Sequence, residues 1–314
     1  MGRYILKRFA YCILVLFGVS ILSFVVLHLA PGDPVRLMLP DGAPEEQVQA
    51  MREQLGLNRP LFEQYIIYMG NVLRGDLGRS LFFNQPNANI IAEALPATLL
   101  LTFTSIMVAL LISIPLGIVS GVKRGSVTDV VAMLFALLGQ SMSAVWLGIL
   151  LIYIFAVRLR WLPPFGYGSI RNMIMPSITL GAPVAALITR MTRAGMIDVL
   201  SEDYILNAMS KGIPKKKVIG KYALKNVLIP IVTVVGIQIG VFLGGAIVTE
   251  QIFNLPGIGR LIVQSISRRD FPLVQSSLLV ISAMFVFINV LVDLIYTYLD
   301  PRLNIIGTKT GNRT

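Results

Sequence analysis

The chain has 314 residues, 55% of them apolar and 14% charged, with a formal net charge of +11, one histidine and one cysteine. A soluble domain carries about 25% charged residues, so too little polar side chain is present to cover a water-facing surface, and the chain is read as a membrane protein. Basic residues on so apolar a chain are expected to collect on the cytoplasmic side of a bilayer, which removes nucleic acid as a partner. A lone Cys12, inside an apolar run, excludes internal disulfides and a cysteine zinc cluster and is expected to be buried and inert. With His28 the only histidine and neither an H-x-x-x-H nor a G-x-x-x-x-G-K-[ST] pattern, no metal, cofactor or catalytic residue is expected. The chain is not expected to hydrolyse ATP itself.

A bilayer-spanning helix needs about 20 mostly apolar residues. Six windows qualify, near Phe9–Leu29, Thr98–Ser120, Val130–Val157, Met175–Ile188, Val227–Val248 and Val274–Tyr298. The first runs too long for a cleavable signal and is expected to remain as an anchor, with His28 structural where it emerges. In the segment after it, Asp41 and Pro44 predict a helix start with Glu45 and Glu46 in the first turn, and Gly56 predicts its end. A second helix is predicted from Leu61 to Leu73, stopping at the Gly75-Asp76-Leu77-Gly78 turn. This segment reads either as a lid on the helix bundle or as a docking surface for a partner outside the membrane. The fourth window, interrupted by Pro176, Gly181 and Pro183, is kept because neighbouring helices can satisfy the freed carbonyls.

Between the fourth and fifth windows, Ile197, Leu200, Tyr204 and Ala208 recur at three- and four-residue steps and predict one amphipathic helix ending at Gly212. Pro214 stands at the first position of a second helix, whose apolar stripe Val218, Ile219, Tyr222 and Leu224 carries it to about Asn226. Lys215, Lys216 and Lys217 then fall in a first turn, where the helix dipole disfavours cations. They are explained either by anionic lipid under the positive-inside rule or by an acidic cytoplasmic partner against the elbow. In the fifth window Gly236, Gly240 and Gly244 share one face, for close packing or for lining a path, and Gln238 lies on another. Asn289 and Asp293, one turn apart in the sixth, suggest proton coupling or simply solvation near the interface. Trp146, Trp161, Tyr153, Tyr296 and Tyr298 fit an interfacial belt.

With the amino terminus inside, the inner segments hold sixteen of the 27 Lys and Arg, and five of the outer eleven lie in one long loop with little say in orientation. Both termini are therefore expected in the cytoplasm.

The stretch Asp203-Tyr204, Ala208, Lys211-Gly212, Ala223-Leu224, Asn226 and Pro230 resembles the cytoplasmic signature loop of ABC importer permeases, in the dipeptide, oligopeptide, nickel and glutathione branch. Pro31-Gly32-Asp33-Pro34, Leu55-Gly56-Leu57, Gly75-Asp76-Leu77-Gly78, Leu95-Pro96-Ala97-Thr98, Phe253 to Gly259 and Asp300-Pro301-Arg302 resemble the first permease of that branch, so the likeness covers the chain to about Leu303. Aligned on Gly212, the general pattern wants Glu-Ala-Ala at Leu206, Asn207 and Ala208, and only Ala208 agrees; Asn87 stands where the branch commonly has valine.

The resemblance implies an all-α polytopic fold of the type I ABC importer permease, with six transmembrane helices, in a prokaryotic inner membrane. It implies four divisions: residues 1–30 as amino-terminal segment and first span, 31–97 outside the membrane, 98–303 as a five-helix core with a coupling loop at 190–226, and 304–314 as a cytoplasmic tail. The partners implied are a second permease, one or two cytoplasmic ATPases, an extracytoplasmic solute-binding protein and membrane lipid. Ser201, Glu202, Asp203, Tyr204, Asn207, Ala208, Lys211, Gly212, Ile213 and Pro214 are the implied ATPase-coupling residues. Glu250, Asn254, Pro256 and Gly257 are an implied gate or binding-protein contact, a capped re-entrant loop being the other reading. The expected function is passage of di- or oligopeptides or a related solute. An ion-coupled carrier acting alone is the alternative, and would show an inverted repeat that the halves lack. An intramembrane enzyme would need clustered reactive groups that Cys12 and His28 do not supply.

Overall fold

The computed structural model describes residues 2–29, 35, 42–54, 56 and 58–299, with side chains described over 10–25, 35, 42–53, 56, 58–244 and 246–292. Among the described residues the chain is helical, its one extended pairing being an isolated bridge between Arg79 and Pro86. In chain order the helices are α1 (Gly2–Leu29), α2 (Glu45–Gln54), α3 (Leu61–Leu73), α4 (Asn87–Val122), α5 (Val127–Ser141), α6 (Ala144–Leu151), α7 (Ile170–Leu200), α8 (Asp203–Ser210), α9 (Leu224–Gly245), α10 (Ile247–Ile252), α11 (Ile258–Ser267) and α12 (Phe271–Leu299). Two wider π-helical segments, Ile152–Arg158 and Val218–Ala223, follow α6 and precede α9, the second continuing from a one-turn helix at Lys215–Lys217.

Among the described residues four helices are long and apolar enough to cross a membrane, within Asn87–Val122, Ile170–Leu200, Lys215–Gly244 and Phe271–Val292. The third expected span is not straight: Val127–Ser141 and Ala144–Arg158 meet at 109° and make a fifth crossing only if counted together. The break falls at Ser141-Met142-Ser143, where Met142 and Ser143 are extended and the serines favour non-helical hydrogen bonding. The first expected span lies in α1, a 28-residue helix whose side chains are described over Ala10–Val25. Cys12, expected to be buried, is half-exposed there. The fourth window is only the middle of α7, a 31-residue helix that contains Pro176 and Pro183 without ending at either.

The chain divides into two compact units, Met1–Ala97 with Pro256–Phe287, and Thr98–Leu255 with Ile288–Thr314. In the first, α3 lies on α1 through aromatic edges, with Phe24 5.4 Å from Tyr65 between ring centroids, and the Ser20 and Tyr65 hydroxyls are 2.7 Å apart. Helices α2 and α3 follow their predicted limits, and Gly56 and Gly75 adopt the left-handed backbone expected of stops. The start signal at Asp41 and the Pro31 to Pro34 motif lie outside the described residues, as do Leu55 and Leu57. Ile91, Ala94, Ile258, Leu261, Ile262 and Leu273 form this unit's buried cluster. Beside it Asp270, 1% exposed, accepts from the Ser80 hydroxyl, from Leu81 N–H at 3.1 Å and from Phe82 N–H at 3.3 Å. Asn87 is fully buried and donates to the Leu77 carbonyl and the Ser276 hydroxyl, at 2.9 and 3.0 Å. An amide here ties three segments that a valine would only pack against.

In the second unit α7 is the most enclosed span, with 61% of its apolar window buried. Small residues let helices approach it: a Cβ on Gly181 would stand 2.7 Å from the Ser105 carbonyl oxygen, and one on Gly117 would collide with Thr192. Thr179, Thr189 and Thr192 return their hydroxyls to carbonyls one turn back, at 2.7 to 2.9 Å, so these three side chains are satisfied within the helix. Asp270→Ala removes the acceptor shared by the Ser80 hydroxyl and two loop N–H groups. The expected result is a loss of about 1–3 kcal/mol, seen as a lower melting temperature of the detergent-purified protein and faster amide exchange over 80–84. Unchanged exchange there would show that the carboxylate does not hold the loop.

Candidate functional site

The hairpin between α7 and α9 is built from local capping rules. Helix α7 ends at Leu200, where the Ser201 hydroxyl donates to the Asp198 carbonyl at 2.7 Å. Glu202 is extended and its carbonyl accepts from Ile205 and Leu206 at 3.0 and 3.2 Å, starting α8. The expected single amphipathic helix is therefore two: Ile197 and Leu200 finish α7, and Tyr204 and Ala208 belong to α8. Nothing in the helical periodicity marks this break; Ser201 and Glu202 mark it by turning the chain through their backbone. Asp203 in the first turn of α8 complements the helix dipole.

Helix α8 buries Ile205 (0% exposed) and Ala208 (7%) in the main core with Val218, Ala223 and Val227. The buried stripe is thus Ile205 and Ala208, not Tyr204 and Ala208. Tyr204, Leu206 and Met209 are 41, 51 and 38% exposed and share the outer surface with Asp203, Asn207 and Lys211. The Tyr204 hydroxyl accepts from the Asn226 amide at 2.7 Å, which joins α8 to the start of α9. Seated by Ile205 and Ala208, this short helix holds Tyr204 and Met209 at the edges of its seat and leaves Asp203, Leu206, Asn207 and Ser210 exposed on its far side.

The elbow closes as a Schellman motif. Gly212, at φ +75°, donates to the Met209 carbonyl at 3.0 Å, and Ile213 donates to Ala208 at 3.3 Å. Ile213 turns back onto the core. Pro214 caps the next helix rather than occupying its first position, its carbonyl accepting from Lys217 and Val218 at 2.8 and 3.1 Å. Lys215, Lys216 and Lys217 are exposed in the first turn. The second helix does not stop near Asn226, because the π-helical segment Val218–Ala223 carries it directly into α9.

The residues of the expected gate fall in different units. Glu250, at 0% exposure in the second unit, accepts from the Thr98 hydroxyl at 2.6 Å, and its carbonyl accepts from Leu255 N–H at 2.9 Å. Asn254 sits between them in the left-handed conformation, φ +54°. Pro256 and Gly257, in the first unit, line an opening of about 300 Å³ with Phe83, Glu93, Arg260 and Gln264. Of the glycine face, Gly236 and Gly240 are buried and Gly244 is exposed; a Cβ on Gly236 would meet Val292. Gln238 is half-buried. Trp146, Tyr153 and Trp161 are exposed, whereas the side chains of His28, Asp293, Tyr296 and Tyr298 and the Asp300 to Arg302 motif lie outside the described residues. Among the described residues no three His, Cys, Asp or Glu side chains converge on a possible metal position. Residue patterns missed Ile205, and they missed the ion pair of Asp129 with Arg193, whose only local signal is the capping pattern Ser126-x-x-Asp129.

Residues 113–305 match the family described as binding-protein-dependent transport system inner membrane component, and residues 1–102 match that system's amino-terminal membrane component. The chain belongs to this family. It is a permease subunit of an ABC importer and a multi-pass protein of the bacterial inner membrane. The permease is 43% identical over 303 residues to the glutathione transport system permease protein GsiC of Escherichia coli strain K12, covering 96% of this chain and 99% of that protein. It has the same identity and coverage with GsiC of Shigella flexneri serotype 5b, strain 8401. A solved chain of the MetNI methionine ABC transporter, in an inward-facing conformation, matches 67% of the permease and 96% of its own length. Its TM-score is 0.55 at 16% identity, a likeness of fold. These relationships support the importer reading rather than the carrier acting alone.

Ile205→Asp places a charge in the seat of α8, at an expected cost of several kcal/mol to that local fold. Amide exchange over 203–210 is expected to rise at least tenfold while α7 and α9 stay protected; equal exchange in the two proteins would show that Ile205 does not anchor the helix.

Proposed function

We propose that the permease carries di- or oligopeptides, or a related small solute such as glutathione, and that the α7–α9 hairpin is where partner ATPases drive it. The observation that carries this reading is α8 itself: Ile205 and Ala208 seat it, and Asp203, Leu206, Asn207 and Ser210 stand exposed on its far side. In this reading both termini and the hairpin are cytoplasmic, six crossings are completed by α1, and residues 31–97 face outward. Ser201 to Pro214 contact the ATPase, and the exposed lysines after Pro214 favour an acidic rim on its groove. A second permease completes the path, a solute-binding protein delivers the solute on the outer side, and ATP is hydrolysed by the ATPase partners. Glu250 and Asn254 in one unit, and Pro256 and Gly257 in the other, then serve as a gate or as a binding-protein contact, and the Gly236 to Gly244 face packs close to the path.

Motion of α8 reaches the spans through packing. Its amino-terminal end joins α7 through two residues, and its carboxy-terminal end joins α9 through Gly212, Ile213 and the proline-capped turn. Gly212→Val puts a β-branched residue where φ is +75°, which strains the elbow although space is open around it. The variant is expected to insert and to co-purify with its partners, yet to lose uptake of labelled glutathione and dipeptides into proteoliposomes and to release ATP hydrolysis from solute control. Solute-stimulated hydrolysis at the wild-type level would overturn the coupling role of this hairpin.

A further inference from the structure

Helix α7 leaves the core of its unit through a clamp. Asp129, in the first turn of α5, is 4% exposed. Its Oδ1 accepts from Arg193 Nε at 2.7 Å, and its Oδ2 accepts from Arg193 Nη2 at 2.8 Å and from Gly125 N–H at 3.0 Å. The Ser120 hydroxyl also donates to Oδ1. One carboxylate thus gathers the end of α4, the turn at Gly125 (φ +75°), the start of α5 and the last turns of α7.

The same stretch of α7 touches helices on two sides. A Cβ on Gly121 would stand 2.6 Å from Met196 Cβ and 3.0 Å from the Arg193 carbonyl oxygen, and one on Gly195 would stand 3.2 Å from Val227. Glycine-lined contacts bring helices close, and the side chains seated against them here, Met196 and Val227, are apolar and make no directional bond. A forked guanidinium–carboxylate pair fixes both distance and rotation, which a point contact cannot do. Beyond Arg193, α7 runs to Leu200, and α8 begins after Ser201 and Glu202.

We propose that the Asp129–Arg193 pair is the fulcrum of coupling in this importer: it makes the ends of α4, α5 and α7 move as one block when α8 is displaced. The pair touches neither solute nor nucleotide and is a positioning pair. This rests on the coupling role of the hairpin.

The test uses the complete importer, permeases with their ATPases, in proteoliposomes. Cys12→Ser removes this chain's own thiol, the partner subunits being freed of cysteine, and Lys123→Cys and Asp198→Cys, both at exposed sites, carry spin labels on the α4–α5 turn and on the last turn of α7. With the clamp intact, ATP and vanadate trapping are expected to leave the label-to-label distance unchanged. Arg193→Lys keeps the charge and loses the fork. It is expected to broaden the trapped distance distribution at least twofold, with ATP hydrolysis kept within twofold. Ser120→Ala, which spares the fork, is expected to behave as the parent. A fall in melting temperature with an unchanged trapped distribution would overturn the proposal and leave the pair a stabilising bolt. If Arg193→Lys fails to assemble, Asp129→Asn decides on the same readout. The clamp alone falls if Arg193→Lys keeps the parent's distances while Gly212→Val uncouples; wild-type solute control in Gly212→Val overturns the hairpin reading itself.

Discussion

The hairpin depends on one residue holding a left-handed backbone. Nothing stands within 4 Å of a Cβ placed on Gly212, so the demand there is conformational and not spatial. With φ at +75°, the N–H groups of Gly212 and Ile213 close on the last carbonyls of α8, Ile213 returns to the core, and Pro214 is aimed to cap the next helix. A residue that could not enter this region would lengthen α8 or open the turn, and the direction of everything after it would change. The angle between α8 and the long apolar helix that follows is thus set by backbone sterics at Gly212 and held by Ile205, Ile213 and the Tyr204–Asn226 hydrogen bond.

Polar groups carry the long-range registration of this chain. Apolar side chains that pack against one another can also pack against lipid, so such contacts discriminate weakly between neighbours. A carboxylate in the same surroundings needs donors and holds its segments in one arrangement. Asp270 does this for the loop at Ser80, Glu250 for Thr98, and Asp129 for Ser120, Gly125 and Arg193. The ties to Ser80, Thr98 and Arg193 join residues far apart in sequence, and each lies within one compact unit.

This contrast also explains what the residue pattern revealed. Stops at Gly56, Gly75 and Gly212 were legible because a glycine's freedom is a local property. The limits of α3 and the run of apolar helices followed from periodicity and length. The break at Ser201 and Glu202 was hidden, since the apolar repeat continues across it at the same spacing and either phase of α8 satisfies an amphipathic pattern. Only tertiary packing selects Ile205 over Tyr204. The 109° bend after Ser141 lacks a proline or glycine at the break, and the pairings of Asp129 with Arg193, Glu250 with Thr98 and Asp270 with Ser80 depend on partners that no window of sequence brings together.

The π-helical turn at Val218–Ala223 adjusts the phase of the span that follows. Such a turn holds about one residue more than an α-helical turn, and each residue advances an α-helix by about 100°. The lysine-bearing face before it and the Gly236 face beyond it are therefore offset by that amount from a continuous α-helix. Shortening the segment by one residue would restore ordinary hydrogen bonding yet spin α9 about its own axis, carrying Gly236 away from Val292. The wide turn lets the hairpin and the membrane-embedded face each keep the orientation its own contacts require.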